Sequence, residues 1–305
     1  MTSASPTIVG RDLSVPALAV TVVLWASAFV GIRAITDSFT PGPMALGRLL
    51  VGFAALTVLV RPWRYPLPRG RTLGLVVVYG VAWFGAYNVA LNAGETHLDA
   101  GTAALVVNVG PILIALLAGW LLKEGFPKPL LAGMAVAFAG VALIALSTRS
   151  GDGVETASAT GVVLCLAAAV LYAVGALTQK PTLATVSPGM SVWMACGIGA
   201  AVCLPYGPGL VDQVGDASAG DQLWLIYLGI FPTAIGFTTW AYAMKRLSAG
   251  QVASTTYLVP VVATGISWIL LDEVPAALAF AGGALCLVGV GITRWRPRRT
   301  VPTPA

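Results

Sequence analysis

Charge is what this sequence lacks. Asp, Glu, Lys and Arg together make up 10% of its 305 residues, against about a quarter in soluble globular chains, so composition excludes a water-soluble domain. Histidine occurs once, at His97, which leaves the apolar segments without the means for HExxH or Ser/His/Asp chemistry. The cysteines Cys165, Cys196, Cys203 and Cys286 stand singly in apolar runs without CxxC spacing. They read as small core residues, not as metal ligands or a disulfide framework. The glycines show no GxxxxGK[ST] pattern, so no loop for ATP phosphates is present. No cofactor or metal is implied, and a membrane-embedded enzyme would have no constellation to work with.

What is abundant is apolar side chain, 57% of the residues, with a mean hydropathy of +0.87. A helix needs ~20 apolar residues to cross a ~30 Å hydrocarbon core. Ten runs qualify, at 13–35, 43–60, 72–93, 98–122, 129–146, 160–181, 188–206, 222–244, 248–271 and 275–293. They are continuously apolar, whereas a barrel strand alternates over ~10 positions. The expectation is an all-α membrane protein with ten transmembrane helices. The small residues of "WASAFV" resemble a signal-cleavage site, but the surrounding run exceeds a ~7–15-residue signal core, so helix one is expected to be retained.

Placing the N-terminus in the cytoplasm sorts the positive charges. Fourteen then fall inside: Arg11, Arg61, Arg64, Arg69, Arg71, Lys123, Lys128, Lys180, Lys245, Arg246, Arg294, Arg296, Arg298 and Arg299. Only Arg33 and Arg149 fall outside, with Arg48 set aside. The positive-inside rule therefore puts both N- and C-termini in the cytoplasm, in the plasma (inner) membrane. The net charge of +5 and the basic tail "RWRPRR" serve as anchors to anionic lipid and require no nucleic acid.

The chain is also duplicated. Under a shift of 149, Leu98, Ala100, Gly101, Ala104, Pro111, Leu121, Leu122, Glu124, Ala132, Gly133, Ala135, Gly140 and Val141 each meet their own residue type. Upstream a shift of 147 places Trp25 on Tyr172 and Pro41 on Pro188. A five-helix unit has an odd number of spans, so the two copies must be inverted, the architecture of many secondary transporters with a midplane site between halves. The expected layout is a tail over 1–12, one repeat over 13–149, a connection over 150–159, the second repeat over 160–293 and a basic tail over 294–305.

"LWASAFVGIRAI", "PMALGRLL", "AGTAALVVNVGPILIALLAGWLLKEG" with its echo "AGQVASTTYLVPVVATGISWILLDEV", and the glycine-bearing helices five and ten resemble the EamA-type permeases of the drug/metabolite transporter superfamily. The likeness covers roughly 13 to 293, with Ala26 where that family often has glycine after the tryptophan. It implies a membrane transporter, an exporter or facilitative permease of amino acids or other small metabolites. A multidrug or sugar-like metabolite permease on the same scaffold is the alternative, and a non-transport receptor a more distant one.

Candidate pathway residues follow from repeat equivalence and helical faces. Ala104, Asn108, Pro111 and Ala115 share one face of helix four; Ala253, Tyr257, Pro260 and Thr264 share the equivalent face of helix nine. A mid-helix proline frees a carbonyl, so Pro111 and Pro260 read either as paired hinges or as fixed kinks. Asn88 and Asn92 share a face of helix three, and Thr233, Phe237 and Trp240 one of helix eight; buried amides either face a substrate or join helices. Trp25 and Tyr172 line a cavity or sit in the interfacial belt. Gly133 and Gly140, with Gly282 and Gly289, form smooth strips for helix packing or for a homodimer contact.

Arg48 stands apart, a full charge within helix two whose repeat equivalent is Ala195. It snorkels to the outer interface, binds an anionic substrate group such as a carboxylate, or closes an outer gate; the family resemblance adds that an arginine recurs at this point. No Asp or Glu falls in the interior of a predicted span, Asp99 standing at the very start of its run, which favours facilitative movement over an intramembrane proton relay. His97, in the outer connection "ETHLD", reads as part of a solvated loop or a pH-sensitive gate.

Overall fold

The computed structural model describes residues 12–97, 103, 106–148, 158–271 and 277–294; among them there is helix and connection but no strand. The helices are α1 (Ser14–Ile35), α2 (Pro41–Val60), α3 (Gly70–Glu95), α4 (Gly110–Leu121), α5 (Lys128–Thr148), α6 (Ala159–Thr182), α7 (Pro188–Asp216) and α8 (Ala219–Arg246). They are followed by α9, composed of Ala249–Ser254, a 3-10 turn over Thr255–Tyr257 and Leu258–Leu271, and by α10 (Ala277–Thr293). Six of these, α1, α2, α3, α6, α7 and α8, are long and apolar enough to cross a membrane. The predicted start of helix four, Arg149, most of the 150–159 connection and the basic tail beyond Arg294 lie outside the described residues.

Local signals set the helix starts. Proline occupies the first turn of α2 and of α7, where a missing N–H costs nothing. Ser187, Ser218 and Ser248 cap α7, α8 and α9, each accepting a backbone N–H three residues on. Two boundaries differ from the sequence reading. α7 runs on to Asp216 through a 3-10 turn at Leu204–Tyr206. α3 continues to Glu95, past the predicted end at 93, because nothing in "NAGE" breaks a helix strongly enough.

α3 and α8 each contain a π-helical stretch, Gly80–Ala86 and Gly229–Gly236, and their first glycines are 149 residues apart. A Cβ on Gly80 would lie 3.0 Å from the carbonyl of Ala195 in α7, and one on Gly229 2.8 Å from that of Arg48 in α2. These are the same contact with the two halves exchanged.

The other close seams behave likewise. A Cβ on Gly133 would lie 2.5 Å from the Gly289 carbonyl and one on Gly140 2.5 Å from that of Gly282, with the converse contacts at 2.6 Å. Cys286 Sγ donates to the Ala137 carbonyl at 3.4 Å across a separation of 149, and Cys196 Sγ to the Leu49 carbonyl at 3.3 Å across 147. Each thiol thus meets the residue that the sequence shift assigns as its own equivalent. α5 and α10 pack backbone to backbone along the glycine strips, as small residues permit in lipid, so these faces are consumed within the chain.

Gly140→Leu should therefore wedge α5 from α10 and destabilise the protein by about 1–3 kcal/mol or more. Gly291→Ala, with open space around its Cβ position, should be silent. Thermal unfolding of both variants in detergent checks this.

Candidate functional site

A cavity of ≈ 100 Å³ lies between α1, α2, α3, α4, α6, α8 and α9. A cavity needs only ~10–15 Å³ of such space to hold one water, so this one admits a small solute. It extends from mid-bundle away from the basic end, where Arg61, Arg69, Lys180 and Arg246 lie. Among the described residues, α5, α7 and α10 contribute nothing to its wall.

Of the residues expected from sequence, Trp25, Arg48, Asn88, Asn108, Tyr172 and Pro111 line this cavity. Trp240, Tyr257 and Pro260 do not. Trp240 lies beneath the floor, wholly buried, its ring 5.0 Å from that of Trp25 and its Nε1 donating to Gln179 Oε1 at 3.2 Å. Tyr257 is wholly buried in a separate cluster with Ala115 and Met134, and its ring faces Phe138. Its displacement has a local cause. The 3-10 turn over Thr255–Tyr257 advances about 120° per residue in place of 100°, which rotates the face read from a uniform helix. Thr256 lines the wall in its stead.

The sequence reading missed Trp83 and Tyr87. Trp83 is the hub of an aromatic cluster, with Tyr172 at 4.9 Å, Phe237 at 5.0 Å and Trp25 at 6.1 Å between ring centroids. It sits inside the π stretch of α3, and no apolar periodicity distinguishes it from a core tryptophan. The Trp25 Nε1 hydrogen is buried without a partner among the described residues, packed against Gly236 of α8.

Arg48 is 6% exposed and does not snorkel. Its Nε donates to Thr233 Oγ1 at 3.2 Å, and the Thr233 hydroxyl donates to the Leu228 carbonyl at 2.8 Å. That carbonyl is five residues back, in the register the π stretch of α8 creates. No further hydrogen bond of the guanidinium is present among the described residues, and the side chain forms part of the cavity wall. Asn88 does the equivalent service in α3, where Nδ2 donates to the carbonyls of Trp83 at 3.2 Å and Phe84 at 2.8 Å. Asn92 joins helices, donating to the Pro41 carbonyl at 3.1 Å.

Extension of α3 corrects one further expectation. Glu95 is seven residues beyond Asn88 and so on the same face of α3, half-buried in the bundle. An acid is therefore the last residue of a helix of the bundle, at the end away from the basic residues.

Both prolines follow interruptions. Pro111 is second in α4 after a turn at Asn108–Val109, and Pro260 is third in the segment after the 3-10 turn of α9. No cluster of three or more His, Cys, Asp or Glu able to hold a metal occurs among the described residues.

The EamA-like transporter family model matches residues 13–146 and 159–295. A "Probable terminal-alkyne amino-acid exporter" of Streptantibioticus cattleyicolor is 38% identical over 94% of this chain and 96% of its own length. A "Probable amino-acid metabolite efflux pump" of Escherichia coli is 28% identical over 90% and 94%. One solved crystal structure superposes with a TM-score of 0.75 at 21% identity, covering 93% of this chain and 97% of that one, which establishes likeness of fold. Two family matches spanning both halves, and a relative aligned from end to end, show that this multi-pass membrane protein belongs to the EamA-like transporter family.

Proposed function

We propose that this chain exports small amino acids or closely related metabolites, and that Arg48 holds their carboxylate. The observation that carries the reading is the buried Arg48 guanidinium, fixed at Nε by Thr233 and forming part of the wall of a cavity sized for a small solute. A charge in such surroundings is costly without a counter-charge, and its planar donors suit a carboxylate in bidentate geometry. The aromatic wall of Trp25, Phe29 and Trp83 accommodates an apolar side chain. The names of the two relatives, an amino-acid exporter and an amino-acid metabolite efflux pump, support both the substrate class and the direction.

Movement is by alternating access of two inverted five-helix halves, ten spans in all, with both termini in the cytoplasm. Supporting this are the reciprocal contacts at Gly80 and Gly229, at the α5–α10 glycines and at the two thiols. Pro111 and Pro260, each just after a helix break, serve as hinges. The bias of Lys and Arg to one set of connections supports the orientation.

In cells expressing the protein, the medium should accumulate one class of amino acid. Arg48→Gln at equal membrane abundance should lower that export about tenfold or more, since a charged hydrogen-bonded contact contributes ~1.5–3 kcal/mol. Metabolite profiling of the medium reads this. Equal export by Arg48→Gln would remove the arginine from the path, and selective efflux of apolar drugs would favour the multidrug alternative. For the topology, Ser158→Cys should react with an impermeant maleimide from outside intact cells, while a reporter fused at the C-terminus should report the cytoplasm. Any other combination contradicts the inverted five-plus-five arrangement.

A further inference from the structure

At the basic end of the bundle, two consecutive residues of α6 hold four other helices together. Gln179, wholly buried, donates from Nε2 to the Tyr79 hydroxyl of α3 at 2.7 Å and accepts from Trp240 Nε1 of α8 at 3.2 Å. Lys180 donates from Nζ to the Met244 carbonyl at 2.7 Å and to that of Leu247, both at the C-terminus of α8. The same ammonium lies 3.9 Å from Glu124 Oε1, just past α4. Both Glu124 carboxylate oxygens accept from the Ala249 N–H, at 3.0 and 2.8 Å, where α9 begins. A cation on C-terminal carbonyls and an anion on an N-terminal N–H each satisfy groups a helix leaves unpaired, with the favourable sign of the helix dipole.

We propose that Gln179, Lys180 and Glu124 form a clasp that seals the cytoplasmic side of the cavity and must part for cargo to load. The proposal rests on the transport reading above. The clasp lies directly beneath the cavity floor, because Gln179 binds Trp240 and Trp240 stacks on the wall residue Trp25. α3, α4, α6, α8 and α9, the helices it joins, all contribute to the wall, so separating them at this level connects the cavity to the basic end. Its contacts are polar, and those of Lys180 and Glu124 are at helix ends with side chains 22% and 17% exposed, so water replaces each bond as they separate. The α5–α10 seam has no such exchangeable contact at its glycines, where the backbones touch, and it moves as one piece.

The test measures access, not flux. With Thr256→Cys as reporter on the cavity wall, inside-out vesicles are treated with a membrane-impermeant maleimide; the buried native cysteines set the baseline. Adding Lys180→Met should speed labelling about tenfold, the scale of a lost charged hydrogen bond, while Lys180→Arg, which keeps charge and donors, should stay within about twofold of Lys180. If Lys180→Met does not reach the membrane, Glu124→Gln, which keeps an acceptor for Ala249, is read in the same way. Labelling unchanged by loss of the charge, or already fast with Lys180 intact, overturns the clasp. Export of amino acids with unchanged labelling would refute the clasp alone; the expected labelling without export of any metabolite would refute the transport reading and leave the clasp standing.

Discussion

In hydrocarbon every backbone N–H and C=O must find its partner within the protein, and this constraint organises the centre of the molecule. The π stretches of α3 and α8 break the i to i−4 ladder and leave carbonyls to be satisfied by side chains. Asn88 takes those of Trp83 and Phe84, and Thr233 takes that of Leu228. Both side chains are thereby fixed at mid-bundle. Thr233 then presents its oxygen to Arg48 Nε, so the guanidinium is oriented by a residue that is itself held by a helix defect. The site follows from the repair of the backbone, and polarity in the membrane is spent where it serves two purposes.

The duplicated halves meet along seams where backbones approach without side chains between them. The glycines of α5 and α10, and Gly80 and Gly229 against α7 and α2, repeat one another with partners exchanged. Against that regularity Arg48 is the exception, since the matching position holds Ala195. On the proposed reading, a symmetric scaffold with one unmatched charge suits an asymmetric cargo with a single anionic end. The clasp of Gln179 and Lys180 lies at the other end of the same path, so the two polar groupings bracket the aromatic floor.

Much of this was legible in the sequence for physical reasons. Helices and membrane embedding follow from long apolar runs, and the duplication from residues such as Pro111 and Pro260 that recur at fixed spacing. The glycine strips announced close packing because seven-residue spacing keeps one helical face. The sequence did not reveal the π stretches, since "GVAWFGA" and "GIFPTAIG" carry no periodicity that separates them from ordinary helix. Tyr257 was misplaced because a 3-10 turn rotated the face on which it was counted. Glu95 was assigned to a connection because apolar content falls before helix does. Lys180 and Glu124 read as topological charges, and only their tertiary meeting at Ala249 and Leu247 gives them a further task.

The central claim is that the cavity recognises a carboxylate through Arg48. Trp25 and Trp83 line it, so intrinsic tryptophan fluorescence of the purified protein reports occupancy. Titration with leucine and propargylglycine, beside the amides of both, tests the claim most directly. The account predicts a saturable change with at least one free amino acid, absent with its amide and absent from Arg48→Gln. An equal response to acid and amide, or no response to either, would contradict it.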